Sequence, residues 1–287
     1  MSRLYASCAS GISGNMMIGA LLDYGVPFSV LEKGIDKLQL GNYSFVLKQV
    51  NKNGVGATYF DVKLHDVSQG LWGPIKKQLH GVGHMITNNM GRFRRPQKHH
   101  SHPPVTVHAK YKHGERRGYT EIKALIEASS LSDWVKSKSV EAFYHLGMAE
   151  ATVHESTLEE VHFHEVGAID CIIDIVGTMI CLEYLGVTEV AFSTLHVGSG
   201  TVWCEHGLMQ VPTPATEKLL AGIPYVSGNI KGELVTPTGA TLVKTLGAHL
   251  IDKVEVNVEV PAEAMKIGVG AGSRDISIPN VLRVYSR

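Results

Sequence analysis

The chain has 287 residues, enough for one large or two ordinary domains with real cores. Its 27 basic and 27 acidic residues cancel, which argues against a general nucleic-acid binder. Four scattered cysteines without a Cys-x-x-Cys pair argue against a disulfide framework or zinc knuckle; with no signal peptide and no apolar run long enough to span a membrane, the expected location is the cytoplasm.

Leu4 to Ala6 reads as a strand, followed by a tight loop carrying Ser10, Gly11, Ser13 and Gly14. Met16, Met17, Ala20 and Leu21 then recur at helical spacing from Asn15 to Tyr24, and Gly25 ends the helix. A strand, a Gly/Ser loop and a helix start can cradle an anion, because backbone N–H groups face the loop. A tight turn that only packs the helix is the equal alternative. A helix over Phe28 to Leu38 follows, then two alternating strands, Tyr43 to Val50 and Ala57 to Leu64, joined as a hairpin.

Residues 66–117 change character. Gly, Pro, His, Lys and Arg dominate, and His99, His100 and His102 cluster before a Pro pair. With 15 histidines in the chain, such a segment reads as a disordered His-rich linker that either chelates nickel, copper or zinc or is merely solvated. Helical patterns resume at Thr120 to Ala128 and Trp134 to Val153, the latter capped by Ser132. Thr157 and Glu160 have capping-box spacing.

The chemistry is expected between Val161 and Gly177. His162 and His164 point to one side of an extended segment, and Glu165 follows at once. Asp170 and Asp174 share one face of an otherwise apolar, buried helix. Buried carboxylates need a metal, a cation or a catalytic proton, and imidazole with carboxylate suits a divalent transition metal. The alternative is that the histidines cap the helix and the acids bond backbone donors or an arginine.

Beyond Gly186, a strand is expected over Val190 to Val197, with Val202 to Cys204 paired beside it. Thr213 and Thr236 each precede a proline at a helix start, and Thr238 lies in the second. Either an anion or ordinary capping explains them. Val254 to Val260 and Asn280 to Tyr285 read as strands. Arg274 is a candidate anion contact, unless Asp275 pairs with it. The fold class is therefore mixed α/β (α+β): a small amino-terminal α/β unit at 1–65, the linker at 66–117 and a larger α/β unit at 118–287.

Several of these motifs, in this order, resemble the LarC family of nickel-insertion proteins in lactate racemase maturation. They are Ser10 to Gly14, Val161 to Ala168 with Asp170 and Asp174, Val197 to Gly200, Glu205 to Gly207, Pro212 to Thr216, Glu233 to Gly239, Gly268 to Asp275 and Pro279 to Arg283. The resemblance implies insertion of nickel into a pyridinium bis-thiocarboxylate mononucleotide, with CTP and Mn or Mg. It implies a metal set of His162, His164, Glu165, Asp170 and Asp174, with His99, His100 and His102 as an accessory store. His164, Glu165 and Asp170 are the catalytic candidates; Ser10, Gly11, Ser13, Gly14, Thr213, Thr236, Thr238 and Arg274 are the substrate-phosphate candidates. Expected partners are that mononucleotide, a carboxy-terminal companion domain to which CTP binding is assigned, and a lactate racemase-like apoenzyme. A homo-oligomer is compatible with this reading; nucleic acid and membrane are not expected. The chain departs from the family at Ser7 and Asn15, where acids are usual, and at Cys171, where Ser or Ala is usual. A non-catalytic nickel store and a metal-dependent phosphohydrolase are the alternative functions.

Overall fold

The computed structural model describes residues 2–65, 117–161, 163, 169–204, 207–247 and 264–286. The architecture is mixed α/β, as the sequence predicts. Strand β1 (Ser2–Ser7) leads through the glycine-bearing loop to helix α1 (Gly14–Tyr24). Gly25 closes α1 with a φ of 117°, and its N–H returns to Leu21 and Leu22 carbonyls. Helix α2 (Phe28–Asp36) precedes the hairpin of β2 (Tyr43–Lys52) and β3 (Val55–Leu64). Its two-residue turn is Asn53-Gly54, both at positive φ, which matches the right-handed twist of the paired strands.

Helices α3 (Tyr119–Ala128), α4 (Asp133–Val153) and α5 (Ile169–Tyr184) follow. The Ser132 side chain caps α4 by accepting from the Val135 N–H. Then come β4 (Val187–Phe192), β5 (Leu195–Ser199), β6 (Thr201–Cys204), β7 (Gly207–Gln210), α6 (Pro214–Leu219), β8 (Tyr225–Glu233), α7 (Pro237–Leu246), β9 (Lys266–Ala271) and β10 (Val281–Ser286).

Six strands form one sheet in the order β2-β3-β9-β10-β1-β4. Strands from residues 1–65 and strands after residue 118 thus hydrogen-bond within a single sheet. β1 runs parallel to β4 and β3 parallel to β9, while β10 is antiparallel to both β1 and β9. The carboxyl ends of β1, β3, β4 and β9 therefore share one edge. Helix α1 lies against the sheet because β9 offers Gly268 and Gly270 beneath it; a Cβ at either would collide with α1 backbone. Helix α5 is the centre of the core, with Ile172, Ile173, Ile175, Val176, Met179 and Leu182 all buried. Gly177 admits Leu31 of α2 and Ile18 of α1 into contact with it. Burying such side chains stabilises the fold by roughly 1.5–3 kcal/mol each relative to exposure.

The structure differs from the sequence reading at five places. Gly268 to Gly272, whose glycines read as a loop, lies mostly in β9, because β10 pairs along it and α1 packs on its glycines. The strand expected over Val190 to Val197 breaks after Phe192, where Ser193 turns inward; its N–H donates to the Ala6 carbonyl and its Oγ accepts from the Cys8 N–H. β6 pairs with β7 and not with the preceding strand, because Gly198 and Gly200 at positive φ turn the chain away. β8, which pairs with β5, was not expected: its Gly228 and Gly232 dilute the alternation that marks a strand. Thr157 to Glu160 closes a turn through Thr157 carbonyl bonds and starts no helix. The strand expected over Val254 to Val260 lies outside the described residues.

Candidate functional site

The start of α5 meets the start of α1. Gly14 opens α1, and a Cβ there would lie 2.5 Å from the Asp174 Cβ and 2.6 Å from its Oδ2, so only glycine admits this carboxyl. The Asp174 carboxylate accepts a hydrogen bond from the Asn15 backbone N–H. It thereby serves the helix end that Ser13 leaves uncapped, since the Ser13 hydroxyl donates instead to Asn15 Oδ1. Desolvation pushes the Asp174 carboxyl well above the usual carboxylate range, the negative charges of Asp170 and Asp61 push it further, and the Asn15 N–H opposes them.

Asp170 stands one turn earlier, solvent-exposed on one side and crowded by protein on the other. That partial desolvation raises its pKa, against backbone N–H groups of the first turn and with Asp61 as a weaker like charge. Asp61, on β3, accepts from the Tyr59 hydroxyl at 2.8 Å and from the Val62 N–H at 2.9 Å. Asn15 ties the two sides by donating from Nδ2 to the Phe60 carbonyl at 3.3 Å. Three carboxylates thus converge on the carboxyl edge of the sheet, and none has a Lys or Arg partner among the described residues. Cys171 is buried, and desolvation, then Asp170 and Asp174, hold its thiol far above its ordinary pKa; without a metal it is a neutral packing group.

His162, His164, Glu165 and the linker histidines His99, His100 and His102 lie outside the described residues. Their flanks do not: Val161 and Phe163 are buried, and the Phe163 N–H donates to the Arg117 carbonyl. Among the described residues no three His, Cys, Asp or Glu side chains cluster closely enough to hold a metal ion.

The residues expected to hold phosphate are brought together in part. Ile12 bridges to Val235, the Ile12 N–H donates to the Leu234 carbonyl, and the Thr236 N–H donates to the Ile12 carbonyl. The first loop and the start of α7 are therefore neighbours. Their polar groups are occupied within the protein. The Ser10 hydroxyl donates to the Pro279 carbonyl at 2.6 Å. Gly11, at φ 84°, lets the chain pass against Leu234. Thr236 Oγ1 accepts from the Gly239 N–H at 3.1 Å and lies 2.9 Å from Thr238 Oγ1. Thr213 Oγ1 lies 3.0 Å from Thr216 Oγ1 and 3.3 Å from Glu233 Oε1. Arg274 donates to the Glu233 and Lys231 carbonyls at 2.9 and 3.1 Å. Asp275 pairs with Lys52, not with Arg274.

Two features escaped the sequence reading. Asp61 sits mid-strand in β3, half-buried, and its nearness to two other acids arises only from packing. A cleft beside the β6–β7 hairpin is lined by Glu150, Trp203, Cys204, Met209, Thr213 and Glu233. Trp203, on the β6–β7 hairpin, is 77% exposed, which only the structure shows.

The fold is a mixed α/β scaffold in which the starts of α1 and α5 meet beside carboxylates that have no Lys or Arg partner among the described residues. The family model described as nickel insertion protein matches residues 4–287. The chain belongs to the nickel insertion protein family. It is 39% identical over 288 residues to a pyridinium-3,5-bisthiocarboxylic acid mononucleotide nickel insertion protein of Geobacillus kaustophilus, covering 99% of this chain and 59% of that one. Proteins of the same description from Clostridium kluyveri and Desulfitobacterium hafniense are 39% and 37% identical, with 99% of this chain and 62% and 58% of theirs covered. The chain thus spans about three-fifths of the length of these relatives. No solved structure matches it significantly. Among the described residues no helix is long and apolar enough to cross a membrane.

Proposed function

We propose that the chain binds nickel and takes part in its insertion into pyridinium-3,5-bisthiocarboxylic acid mononucleotide. The observation that carries this reading is the desolvated Asp174, one helical turn from the solvent-facing Asp170 and near Asp61, without a cationic partner among the described residues. Such a group favours a divalent cation, because a bound metal removes both the like-charge repulsion and the cost of desolvation. Nickel is cargo here, to be held and released, so an acidic mouth open to solvent at Asp170 suits its passage. His162, His164 and Glu165 complete the proposed ligand set, with His164, Glu165 and Asp170 nearest the transfer; His99, His100 and His102 are the proposed accessory store.

CTP and Mn or Mg enter the proposal from the family resemblance. Asp170 and Asp174 are hard oxygen donors of the kind Mn or Mg takes, but with Asp61 they do not form a closed three-carboxylate site among the described residues, so any such ion would need further ligands. The companion domain and the racemase-like apoenzyme that receives the product belong to the same proposal, as does a cytoplasmic location.

Calorimetric nickel titration tests it. The wild type, a variant lacking residues 97–113, and His162→Ala/His164→Ala should be compared. A tight site that survives the deletion and is lost in the double variant is the expected result. Binding lost with the deletion alone would sink the folded site and leave nickel storage.

A further inference from the structure

Arg283 lies on β10, in register with Ser7 of β1 on one side and Val269 of β9 on the other. Leu282 and Val284 face the main core under α1, so Arg283 projects from the opposite face of the sheet, with Val281 and Tyr285. Those two neighbours are 1% and 2% exposed, so the guanidinium emerges from a dry surface. The arginine is itself half-buried, and desolvation lowers its pKa. No acid occupies a cross-strand or diagonal position: these hold Ser7, Val269, Tyr5, Ile267 and Ala271.

The other described arginines are engaged. Arg3 pairs with Glu189, Arg274 holds two carbonyls, and Arg117 has an interaction of its own. Arg283 alone among them has no hydrogen bond or ion pair within the described residues. A guanidinium cannot shed its proton, so a half-buried one without carbonyl or carboxylate acceptors is best stabilised by an anion. Ser7 is the last residue of β1, which places Arg283 near the carboxyl edge of the sheet, the edge where the carboxylates converge. Open α/β sheets take ligands at that edge.

We propose that Arg283 anchors the phosphate group of a mononucleotide at the carboxyl edge of the sheet, on the face opposite α1. This rests on the mononucleotide reading above and moves the phosphate contact from Arg274, whose two terminal nitrogens are each tied to a backbone carbonyl, to Arg283. The planar fork suits a phosphate monoester, which carries more charge than a carboxylate and offers three acceptor oxygens.

The test is calorimetry on the whole chain with nicotinic acid mononucleotide and with the corresponding nucleoside, using wild type, Arg283→Met and Arg283→Lys. Arg283→Met is expected to weaken mononucleotide binding about tenfold or more and Arg283→Lys less, with nucleoside binding indifferent to both. Equal mononucleotide binding by wild type and Arg283→Met, or no binding by the wild type, overturns the proposal. So does a nucleoside that depends on Arg283 as strongly, since its carboxylate is then the partner. The Arg283→Met apoprotein should melt at or above the wild-type temperature, because an unpaired charge has been removed from a dry surface; a lower value makes Arg283 a scaffold residue and overturns the assignment. Nickel titrations of the same variants should match the wild type. Absence of nickel binding in all three would sink the insertion reading while leaving the Arg283 result to stand or fall by itself.

Discussion

Two regions of this molecule carry the same kinds of residue and use them differently. Around β8, α6 and α7, hydroxyls and an arginine abound, yet each is occupied within the protein: Thr236 caps α7, Ser10 reaches Pro279, and Arg274 stitches β8 through two carbonyls. At the carboxyl edge of the large sheet, Asp174 and Arg283 are partly withdrawn from water, Asp170 faces it, and all three lack counter-charges among the described residues. A polar motif is available to a ligand only if the fold has left it unmatched. Residue type does not distinguish scaffold from site; the partner does.

The sharpest way to test that contrast is to fill a glycine on each side. Gly14→Val should drive Asp174 from the α1 start, destabilise by about 1–3 kcal/mol and abolish the nickel isotherm. Gly232→Val should cost at least as much stability, since its φ of 96° disfavours any side chain and the Arg274 guanidinium fills the space, but nickel binding should persist at temperatures where the variant is folded. Chemical denaturation beside calorimetry reads both. If both variants lose nickel, the two regions are not functionally separate.

Asp174→Asn should weaken nickel binding more than Asp170→Asn, because Asp174 is the more desolvated of the two. The same substitution has a pH signature in the metal-free protein. The folded pKa of Asp174 is raised, so the folded state keeps its proton longer than the unfolded chain does. Stability is therefore greatest below the unfolded carboxylate value, about 4, and declines as pH rises toward the folded value. Melting temperatures followed from acid to neutral pH in chelator should show that decline in the wild type and a flatter profile in Asp174→Asn. Equal slopes would remove Asp174 from the set of strained charges.

The smallest effect is expected in the scaffold region. Thr236→Ala removes the α7 cap and should lower stability by about 1 kcal/mol, with nickel and mononucleotide affinity unchanged. A change in mononucleotide affinity would restore the α7 start as a phosphate cradle.

Much of the fold was legible in the sequence because local rules governed it. Asn53-Gly54 between alternating strands specified the hairpin, Pro214 and Pro237 after threonines marked two helix starts, and the Ile-rich run of α5 announced a buried helix around two acids. What the sequence could not carry was pairing between distant residues. β8 went unseen because its glycines answer to β5 and Arg274, not to their neighbours in the chain. Asp61 joined Asp170 and Asp174 only when β3 was laid beside α1 and α5. The sequence by itself determined which residues could bear charge at a helix start, since helical spacing and burial pattern are local. Only the tertiary structure decided that Arg274 would be held by two carbonyls and Arg283 left without a partner among the described residues, because a charge is matched or unmatched by what the fold packs beside it.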